Sequence, residues 1–482
     1  MTPTQPRAIP SIQQVLPTFK EFVRAEDVRA LAKASGKRFY ERLYTPLIVV
    51  WCLIFQRLNA DHALDAVVSH VSSGAVDHLD DRHQLPVSER LESESTAAYS
   101  KARKRLPLTV LEGVVRHLAQ AAEQSLGERA RWHGHPVALL DGTTLLAWPE
   151  PELVKRYGQA ENQHGTAYWV VIRVVAAFSL HTAALPSLRS GQALAVADGS
   201  QRESEQALAK PVLARLAPNT VCVGDRAFGV FSVAQAARHY GVLGLLRLTA
   251  VRAKALAKSK LHSGEDRLVQ WAPSRADQSD PKMSLAPISG RLIYQRIERD
   301  GFRPVDLYFF TTLLDQSEYS VAELLALYAQ RWHVELDLRY VKSTLDMDLL
   351  TAKSVAMVQK ELWGGLAAYN LVRVCMALAA QGAELTPLSL SFAKCWRRVQ
   401  RMLCALRPTD TPDEVARRVR RLLSSLAKCR LQKRKLFRVE PRAVRRRPAV
   451  YPALKGSRDK ARQVALQQLM TTAKTATTEA KC

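Results

Sequence analysis

The sequence predicts a mixed α/β protein, in which helices precede a sheet and a basic helical region follows it. Three observations support this prediction. Residues 1 to about 130 carry apolar residues at three- and four-residue spacing, which is typical of amphipathic helices. Apolar stretches then alternate with helical patterns from Pro136 to Leu248, as in a mixed sheet. The chain becomes very rich in arginine and lysine after Cys395.

The alternation begins with PVALLDGTTLLAW, which predicts an apolar strand that ends on Asp141 with a tight turn at Asp141-Gly142. AYWVVIRVVAAFSL predicts a long β-branched strand, and SQRESEQALAKPVLARL predicts a helix that Pro211 bends or splits. NTVCVGDRAFGVFS predicts a strand that ends on Asp225, and Ser232 is the expected N-cap of the next helix. VLGLLRL completes the alternation as a further strand.

Residues from about 250 to 310 break this rhythm and predict a β-rich insertion. RLIYQRIERDGFRPVDLYFFTT is expected to form a hairpin that turns at Asp300-Gly301. The next helix begins with a capping box from Ser320 to Glu323, and a second, apolar helix is expected to pack on the sheet. The predicted domains are a helical, DNA-binding N-terminal domain (1–130), the first part of the core (131–248), the insertion (249–310), the second part of the core (311–385), a basic helical region (386–465) and a disordered tail (466–482).

The formal net charge of +25 indicates a polyanionic partner, and nucleic acid is the first choice. A membrane partner is disfavoured, because the longest apolar run, LIVVWCLIF, is shorter than the roughly 20 residues that a membrane helix needs. The N-terminus lacks the pattern of a signal peptide. Seven scattered cysteines without a Cys-x-x-Cys pair argue against a disulfide framework and a zinc site. We expect a cytoplasmic protein with reduced thiols.

A short basic segment, STAAYSKARKRLP, lies between two predicted N-terminal helices. Its four cations crowd about one turn beside Tyr99; they are Lys101, Arg103, Lys104 and Arg105. Such a run is either a solvated surface or a contact with DNA phosphates, and the overall charge favours the second reading.

Three carboxylates form the predicted reactive site. Asp141 and Asp225 follow two different strands, and strand ends are where ligand sites gather in α/β sheets. Glu335 lies on the later helix. Carboxylates that converge without a cation repel one another, and hard oxygen ligands suit Mg²⁺ or Mn²⁺. Two such ions, about 4 Å apart, activate an attacking oxygen and stabilise the leaving oxygen of a phosphodiester.

The helix of Glu335 carries further polar residues on one face. In YAQRWHVELDLRYVKSTLDMD, Tyr328, Arg331, Glu335 and Lys342 recur at offsets that fall in a narrow sector of one helix. The two cations are placed to grip phosphates, and Tyr328 to donate a hydrogen bond or stack. His333 is expected on the helix surface rather than in the site.

Each residue of the site also has an ordinary structural explanation. Asp141 before Gly142 is common in turns, and Asp225 before Arg226 is common in surface ion pairs. Glu335 has arginines four residues before and after it, so helix salt bridges would explain it. The joint placement of the three carboxylates in a very basic chain favours the functional reading.

The pattern Tyr-x2-Arg-x3-Glu-x6-Lys resembles, without a gap, the signature of DDE transposases of the insertion-sequence-4 family. LLDGTT around Asp141 and VGDRAF around Asp225 resemble the two aspartate motifs of that family. FFTTLLD, before the signature helix, and EPRAVRRRPAVYPAL, near the C-terminus, are also similar. The resemblance spans residues 90 to 455, and the four-residue signature is its most specific part.

The resemblance implies a ribonuclease-H-like catalytic core with a β-rich insertion between the second aspartate and the glutamate. It implies that Asp141, Asp225 and Glu335 bind two Mg²⁺ ions, for which Mn²⁺ substitutes. It also implies cleavage at transposon-end inverted repeats, strand transfer of the 3′ ends into target DNA, and a homodimer that bridges two ends. Trp271 is the local candidate for stacking on a flipped base, with a hairpin-core role as the alternative. Lys101 to Arg105 and the basic C-terminal region would then bind the terminal repeats.

Two other functions stay open at this point. A structure-selective nuclease on the same fold would cleave DNA without joining strands. A catalytically inactive DNA-binding derivative would bind the same DNA without cleaving it.

Overall fold

The computed structural model describes most of the first compact unit of the chain, Met1–Leu431, and little of the second, Gln432–Cys482. The described residues are 24–36, 42–59, 61–80, 82–126, 131–162, 165–180, 191–278, 284, 286–298, 304–405, 411–431, 457, 460, 462–464 and 467. The predicted tail, apart from Gln467, and the similar segment EPRAVRRRPAVYPAL lie outside the described residues.

Helices pack together before the first strand, as predicted. They are α1 (Ala25–Ala34), α2 (Pro46–Leu58), α3 (Leu64–Ser72), α4 (Thr96–Arg105) and α5 (Leu108–Leu126), with a 3₁₀ turn at Asp77–Leu79. The long apolar run forms α2, which is buried along nearly its whole length. The Thr45 side chain accepts a hydrogen bond from the backbone N–H of Ile48, and Pro46 takes the first helical position, so the start of this helix is well specified.

One mixed sheet contains the strands of the described residues, which confirms the predicted α/β class. The strands are β1 (Val137–Ala147), β2 (Gln159–Asn162), β3 (Gly165–Ser179), β4 (Ala193–Ser200), β5 (Val221–Gly224), β6 (Leu243–Leu248), β7 (Glu265–Trp271), β8 (Ile288–Ile297), β9 (Val305–Thr311) and β10 (Leu349–Leu350). Strand β1 lies between β3, which is antiparallel to it, and β5, which is parallel. Strand β6 continues the parallel part beyond β5, and β4 pairs with β3.

Helices cover both faces of this sheet. The helices that follow β1 in the described part of the chain are α6 (Pro151–Tyr157), α7 (Glu205–Leu213), α8 (Phe231–His239), α9 (Ala250–Ala257), α10 (Arg275–Gln278), α11 (Val321–Ala329), α12 (His333–Arg339), α13 (Val355–Gln381), α14 (Phe392–Ala405) and α15 (Pro412–Ala427). The larger apolar core joins one face of the sheet to α2, α5 and α13, and the smaller core joins the other face to α7 and α8. Helix α13 is long and apolar enough to cross a membrane, but its apolar stretch is wholly buried in the protein, as in a core helix.

Two local predictions about strands and caps are wrong. Strand β1 does not end at Asp141, because its pairing with β3 continues to Ala147 and leaves no turn at Asp141-Gly142. The β-branched threonines after the glycine favour the extended backbone that this pairing needs. Helix α8 begins at Phe231 with Val230 at the N-cap, so Ser232 lies inside the first turn. Helix α7 contains Pro211 and ends two residues after it.

The β-rich segment between residues 249 and 310 extends the main sheet rather than forming a sheet of its own. Strands β8 and β9 form the predicted hairpin, with Ile297 opposite Val305, and the expected turn at Asp300-Gly301 lies outside the described residues. Strand β9 also pairs with β6, and β7 pairs with the other edge of β8. The segment therefore adds three antiparallel strands to the parallel edge of the core.

Candidate active site

Parallel pairing brings the two aspartates to the same place in the sheet. The paired stretch of β1 and β5 ends with Leu140 opposite Gly224. Asp141 and Asp225 come next on these neighbouring strands, which lie about 4.8 Å apart in a typical sheet. The two aspartates selected from the sequence therefore lie side by side in the fold, although Asp141 lies within a strand and not at its end.

Strand alternation places both aspartates on one face. Leu139 and Val223, two residues before the aspartates, belong to the larger core on the side of α13. Alternate side chains of a strand face the same way, so Asp141 and Asp225 point to that side as well. Helix α12, which carries Glu335, packs against β1. The fold thus delivers the three predicted carboxylates to one face of the sheet.

Asp141 is largely enclosed, with 19% of its side chain exposed, whereas the Glu335 side chain is 56% exposed. Its Oδ1 accepts a hydrogen bond from the backbone N–H of Gly142 at 2.9 Å. Burial raises the pKa of Asp141 to about 6, against the effects of the Gly142 bond and of Arg331. The charges of Asp225 and Glu335 raise this pKa further, so the three acids interact electrostatically.

The signature segment is helical throughout, but it is not one regular helix as the sequence predicted. Helix α11 begins with the predicted capping box of Ser320 and Glu323. It is followed by a 3₁₀ turn (Gln330–Trp332), by α12 and by a π turn (Tyr340–Thr344). Arg331 lies in the 3₁₀ turn and Lys342 in the π turn, which often marks functional sites. These irregular turns shift the cations relative to the face that regular 3.6-residue spacing predicts.

Arg331 bridges two of the carboxylates. Its Nη1 lies 3.4 Å from Asp141 Oδ2, and its Nη2 donates to Glu335 Oε1 at 2.7 Å. Burial lowers the pKa of Arg331, but its bond to Glu335 and the charges of Tyr328 and Asp141 outweigh that effect and raise the pKa above its usual value. The predicted salt bridge between Arg331 and Glu335 is thus present, and it belongs to the site rather than to an isolated helix surface.

An open pocket lies between β1 and the signature helix. Its lining includes Asp141, Glu335 and Lys342, together with Thr143, Arg339 and Ser343, which the sequence reasoning did not select for the site. Each of these three residues follows a predicted site residue at the spacing that places two side chains on the same face of a strand or helix. Thr143 is two residues after Asp141 on a strand, and Arg339 and Ser343 are four and eight residues after Glu335 on a helix.

Of the remaining signature residues, Lys342 lines this pocket and Tyr328 does not. Lys342 pairs with Asp348 at 3.2 Å, so its ammonium group is held near the mouth of the pocket. Tyr328 is half-buried, and its ring packs edge-on against Phe309 with centroids 4.7 Å apart. His333 hydrogen-bonds Gln330 at 3.1 Å and does not line the pocket.

The donor set fits a divalent cation in its chemistry. In the described part of the chain, no three acidic, histidine or cysteine side chains stand close enough together to hold a metal ion as they are. Asp141 and Glu335 nevertheless share one bridging arginine, and the charge of Asp225 acts on Asp141. Carboxylate oxygens of this kind suit Mg²⁺ or Mn²⁺. Glu335 is 56% exposed and can turn from Arg331 toward the aspartates. Asp225 is held by a hydrogen bond from the Ala227 N–H at 2.8 Å.

Trp271 lies away from this pocket and has the contacts of a core residue. It ends β7 and packs edge-on against Phe310 and Phe231, with centroids 4.7 and 6.1 Å apart. These contacts fit the hairpin-core alternative given above. A role in base stacking stays a prediction.

The basic segment forms the last turns of α4. Lys101, Lys104 and Arg105 are exposed there, whereas Arg103 is half-buried with its guanidinium 5.9 Å from the Tyr99 ring. The buried Lys360 of α13 donates to the carbonyls of Arg103 and Lys104, at 3.1 and 2.6 Å, and so anchors this end of the helix. The segment is therefore fixed to the core, and its contact with DNA stays a prediction.

Comparisons with known proteins find transposases. Residues 132–371 match the family of transposase DDE domains. The chain is 25% identical over 457 residues to the transposase InsG for insertion sequence element IS4 of Escherichia coli (strain K12), which covers 92% of this chain and 95% of that protein. Among solved structures, the piggyBac transposase in a synaptic complex with hairpin DNA is similar at 12% identity and a TM-score of 0.39, over 87% of this chain and 86% of that one.

The matched region begins just before β1, ends in α13, and contains all three carboxylates and the complete Tyr-Arg-Glu-Lys signature. The chain is a DDE transposase of the insertion-sequence-4 family, and its activity belongs to DNA transposition.

Proposed function

We propose that this transposase works by cut-and-paste, with Asp141, Asp225 and Glu335 as the catalytic carboxylates. The observation that carries the proposal is their convergence on one face of the sheet, where the charges of Asp225 and Glu335 act on Asp141. A chain with a net charge of +25 supplies the electrostatic attraction for DNA that such a site needs.

We infer that the catalytic core is ribonuclease-H-like. The inference is supported by the sheet order β4-β3-β1-β5-β6, in which an antiparallel half meets a parallel half at the strand of Asp141. Strands β7 to β9 would then be the β-rich insertion, and the N-terminal helices and the basic C-terminal region the flanking DNA-binding parts. In this arrangement the protein acts in the cytoplasm, at the nucleoid, as a homodimer that bridges two transposon ends.

In the proposed reaction, the oxygen of water attacks the phosphorus at the transposon end. The bond to the 3′ oxygen breaks, which leaves a 3′ hydroxyl on one side and a 5′ phosphate on the other. That hydroxyl then attacks a phosphodiester of target DNA and displaces another 3′ oxygen, so no external energy source is needed. Two bound Mg²⁺ ions, or Mn²⁺, would supply activation of the attacking oxygen and stabilisation of the leaving oxygen.

The chain's own residues would hold the ions and the DNA. The three carboxylates would hold the ions, and Glu335 would turn from Arg331 to do so. With Asp141 and Glu335 engaged as ligands, the Arg331 guanidinium that now pairs with them would be available for bidentate hydrogen bonds to a phosphate. Lys342 and Arg339 line the same pocket and would contact flanking phosphates, and Tyr328 would lie near the DNA at its margin.

The test is an assay of cleavage and joining on labelled DNA that carries the inverted repeats flanking the gene, with a supercoiled plasmid as target. We expect nicked and joined products with Mg²⁺ or Mn²⁺, and neither product with EDTA or with Asp141→Asn. Cleavage without joining would favour the structure-selective nuclease instead. Binding without cleavage in either metal would favour the inactive DNA-binding derivative.

A further inference from the structure

A fully buried ion pair lies on the side of α12 that faces away from the pocket. Arg373 of α13 donates from Nη2 to Asp337 Oδ1 at 2.6 Å and from Nε to the Tyr369 hydroxyl at 2.9 Å. The Tyr369 hydroxyl donates to the same Asp337 oxygen at 3.0 Å. The three side chains therefore form a closed triangle of hydrogen bonds, with Arg373 and Asp337 only 2% and 1% exposed.

The same guanidinium contacts aromatic rings from three elements. It lies 5.5 Å from the ring centroid of Tyr340 in the π turn, 5.2 Å from that of Tyr369 and 5.0 Å from that of Phe392 in α14. Tyr340 and Phe392 also stack on each other, with centroids 4.8 Å apart. Arg373 thus ties α12 and the π turn, which carry Glu335 and Lys342, to the long core helix α13.

The contact of Asp337 with α13 determines which way Glu335 points, because the two residues lie two positions apart on α12. Two residues on a helix are about 200° apart, so Asp337 held against α13 directs Glu335 to the opposite side, toward Asp141. Gly191 lies against the pair, where an added Cβ would stand 3.3 Å from Asp337 Oδ1. The ion pair is therefore closely packed.

We propose that Arg373, with Asp337 and Tyr369, positions the catalytic glutamate by fixing the rotation of α12. The proposal rests on the proposed function, because it takes Glu335 as a catalytic group. Buried ion pairs are weak stabilisers, and apolar residues of similar volume often replace them without loss of stability. A role in geometry explains better why three polar groups are kept together in this core.

The chain offers a matched control in a second buried pair. Arg291 of β8 is fully buried and bonds Asp266 of β7 at 3.0 and 2.5 Å. It also donates to the carbonyls of Leu313 and Tyr319, before α11. This pair has the same chemistry as the first and an equally buried arginine, although the Asp266 side chain is 13% exposed. Its hydrogen bonds do not reach α12.

The test compares Tyr369→Phe, Arg373→Met and Arg291→Met in the full-length protein. Tyr369→Phe keeps the buried ring and removes one hydroxyl, so it is the variant most certain to fold. Four quantities are measured: the Tm, the Kd for transposon-end DNA in EDTA, the single-turnover cleavage rate at saturating DNA and Mg²⁺, and the Mn²⁺ affinity without DNA by electron paramagnetic resonance. All rates are taken well below the lowest Tm.

We expect Tyr369→Phe and Arg373→Met to lower the cleavage rate by about 10-fold to 100-fold, as small misplacements of reacting groups do, while the Kd for DNA stays within about twofold. Their Mn²⁺ affinity should fall by about 10-fold, since groups that orient a metal ligand have effects of that size. Arg291→Met should lower the Tm and leave the cleavage rate and the Mn²⁺ affinity of the folded protein unchanged.

The positioning role is overturned if Tyr369→Phe and Arg373→Met keep wild-type cleavage and Mn²⁺ affinity. It is also overturned if Arg291→Met lowers both quantities as much as they do, because the pair would then be structural only. Failure of the proposed function looks different, since the wild-type protein itself would not cleave DNA. The Mn²⁺ measurements would still decide the positioning role in that case.

Discussion

The two sides of α12 use the same residue types in opposite ways. On the open side, Arg331 bridges Asp141 and Glu335, and the glutamate side chain is more than half exposed. On the buried side, Arg373 holds Asp337 in a closed triangle with Tyr369. Both sides pair an arginine with a carboxylate, but only the first can exchange its partners for water, a cation or a phosphate.

The difference shows how one short helix can carry an exchangeable ion pair on one side and a fixed ion pair on the other. A bridging arginine at 18% side-chain exposure keeps acidic groups together and leaves them open to substitution. The buried Arg373, which donates hydrogen bonds to Asp337 and Tyr369, instead fixes the position of α12 against α13. Changes on the open side should therefore alter reaction and binding, and changes on the buried side should alter stability as well.

The largest expected effect is that of Glu335→Gln on catalysis. Because changes in groups that merely support metal ligands cost about 10-fold to 100-fold, loss of a ligand itself should lower DNA cleavage by more than about 100-fold. The Tm should stay within the error of the wild-type value, since the side chain is exposed. Thermal unfolding and single-turnover cleavage measure the two quantities, and cleavage within tenfold of wild type would contradict the assignment.

Asp337→Ala tests the buried side of α12 through its effect on stability. Removal of this carboxylate leaves the Arg373 charge without its buried partner, and such a loss destabilises proteins by about 3 to 5 kcal/mol. Urea unfolding of the purified protein measures it. A loss of stability no larger than that of Glu335→Gln would show that the two sides of α12 do not differ as described.

The sequence predicted which residues form the candidate site more completely than it predicted the backbone around them. Asp141, Asp225 and Glu335 were selected because two carboxylates next to apolar strands and one on a later helix, in a very basic chain, form an uncommon pattern. The turn at Asp141-Gly142 was predicted wrongly, because Asp-Gly favours turns locally while pairing with β3 on one side and β5 on the other keeps β1 extended. Tertiary pairing decided the conformation there.

The irregular turns beside α12 and the buried Asp337–Arg373 ion pair could not be predicted from the sequence. The 3₁₀ and π turns beside α12 have no strong local signal, since neither proline nor glycine occurs between Ser320 and Leu345. Asp337 and Arg373 are 36 residues apart, so their pairing appears only once α12 and α13 are packed together. The pairing of β9 with β6 is likewise a long-range contact.

Arg331→Gln is expected to change metal and DNA binding in opposite directions. Without the competing guanidinium, the DNA-free protein should bind Mn²⁺ several-fold more tightly, because Asp141 and Glu335 lose their cation. DNA cleavage should fall by about 10-fold, as expected for the loss of one bidentate phosphate contact. Paramagnetic resonance and cleavage assays test the two parts, and weaker Mn²⁺ binding would contradict the bridging role.

Arg339→Gln should have the smallest effect of this series. Arg339 is exposed and lines the pocket one turn after Glu335, so we expect it to contact a phosphate without touching the carboxylates. Its loss should weaken DNA binding a few-fold and lower the slope of log K against log salt by about 1. Titrations at several salt concentrations measure this slope, and an unchanged slope would place the DNA elsewhere.

The central claim is that the carboxylates converging beside β1 hold the ions for DNA cleavage, and Asp225→Cys tests it most directly. A thiolate is a softer ligand than a carboxylate, so it binds Mg²⁺ poorly and accepts Mn²⁺ more readily. We predict that Asp225→Cys cleaves transposon-end DNA poorly in Mg²⁺ and recovers much of its activity in Mn²⁺. Cleavage at the wild-type rate in Mg²⁺ would contradict the claim, because Asp225 would then not be a metal ligand.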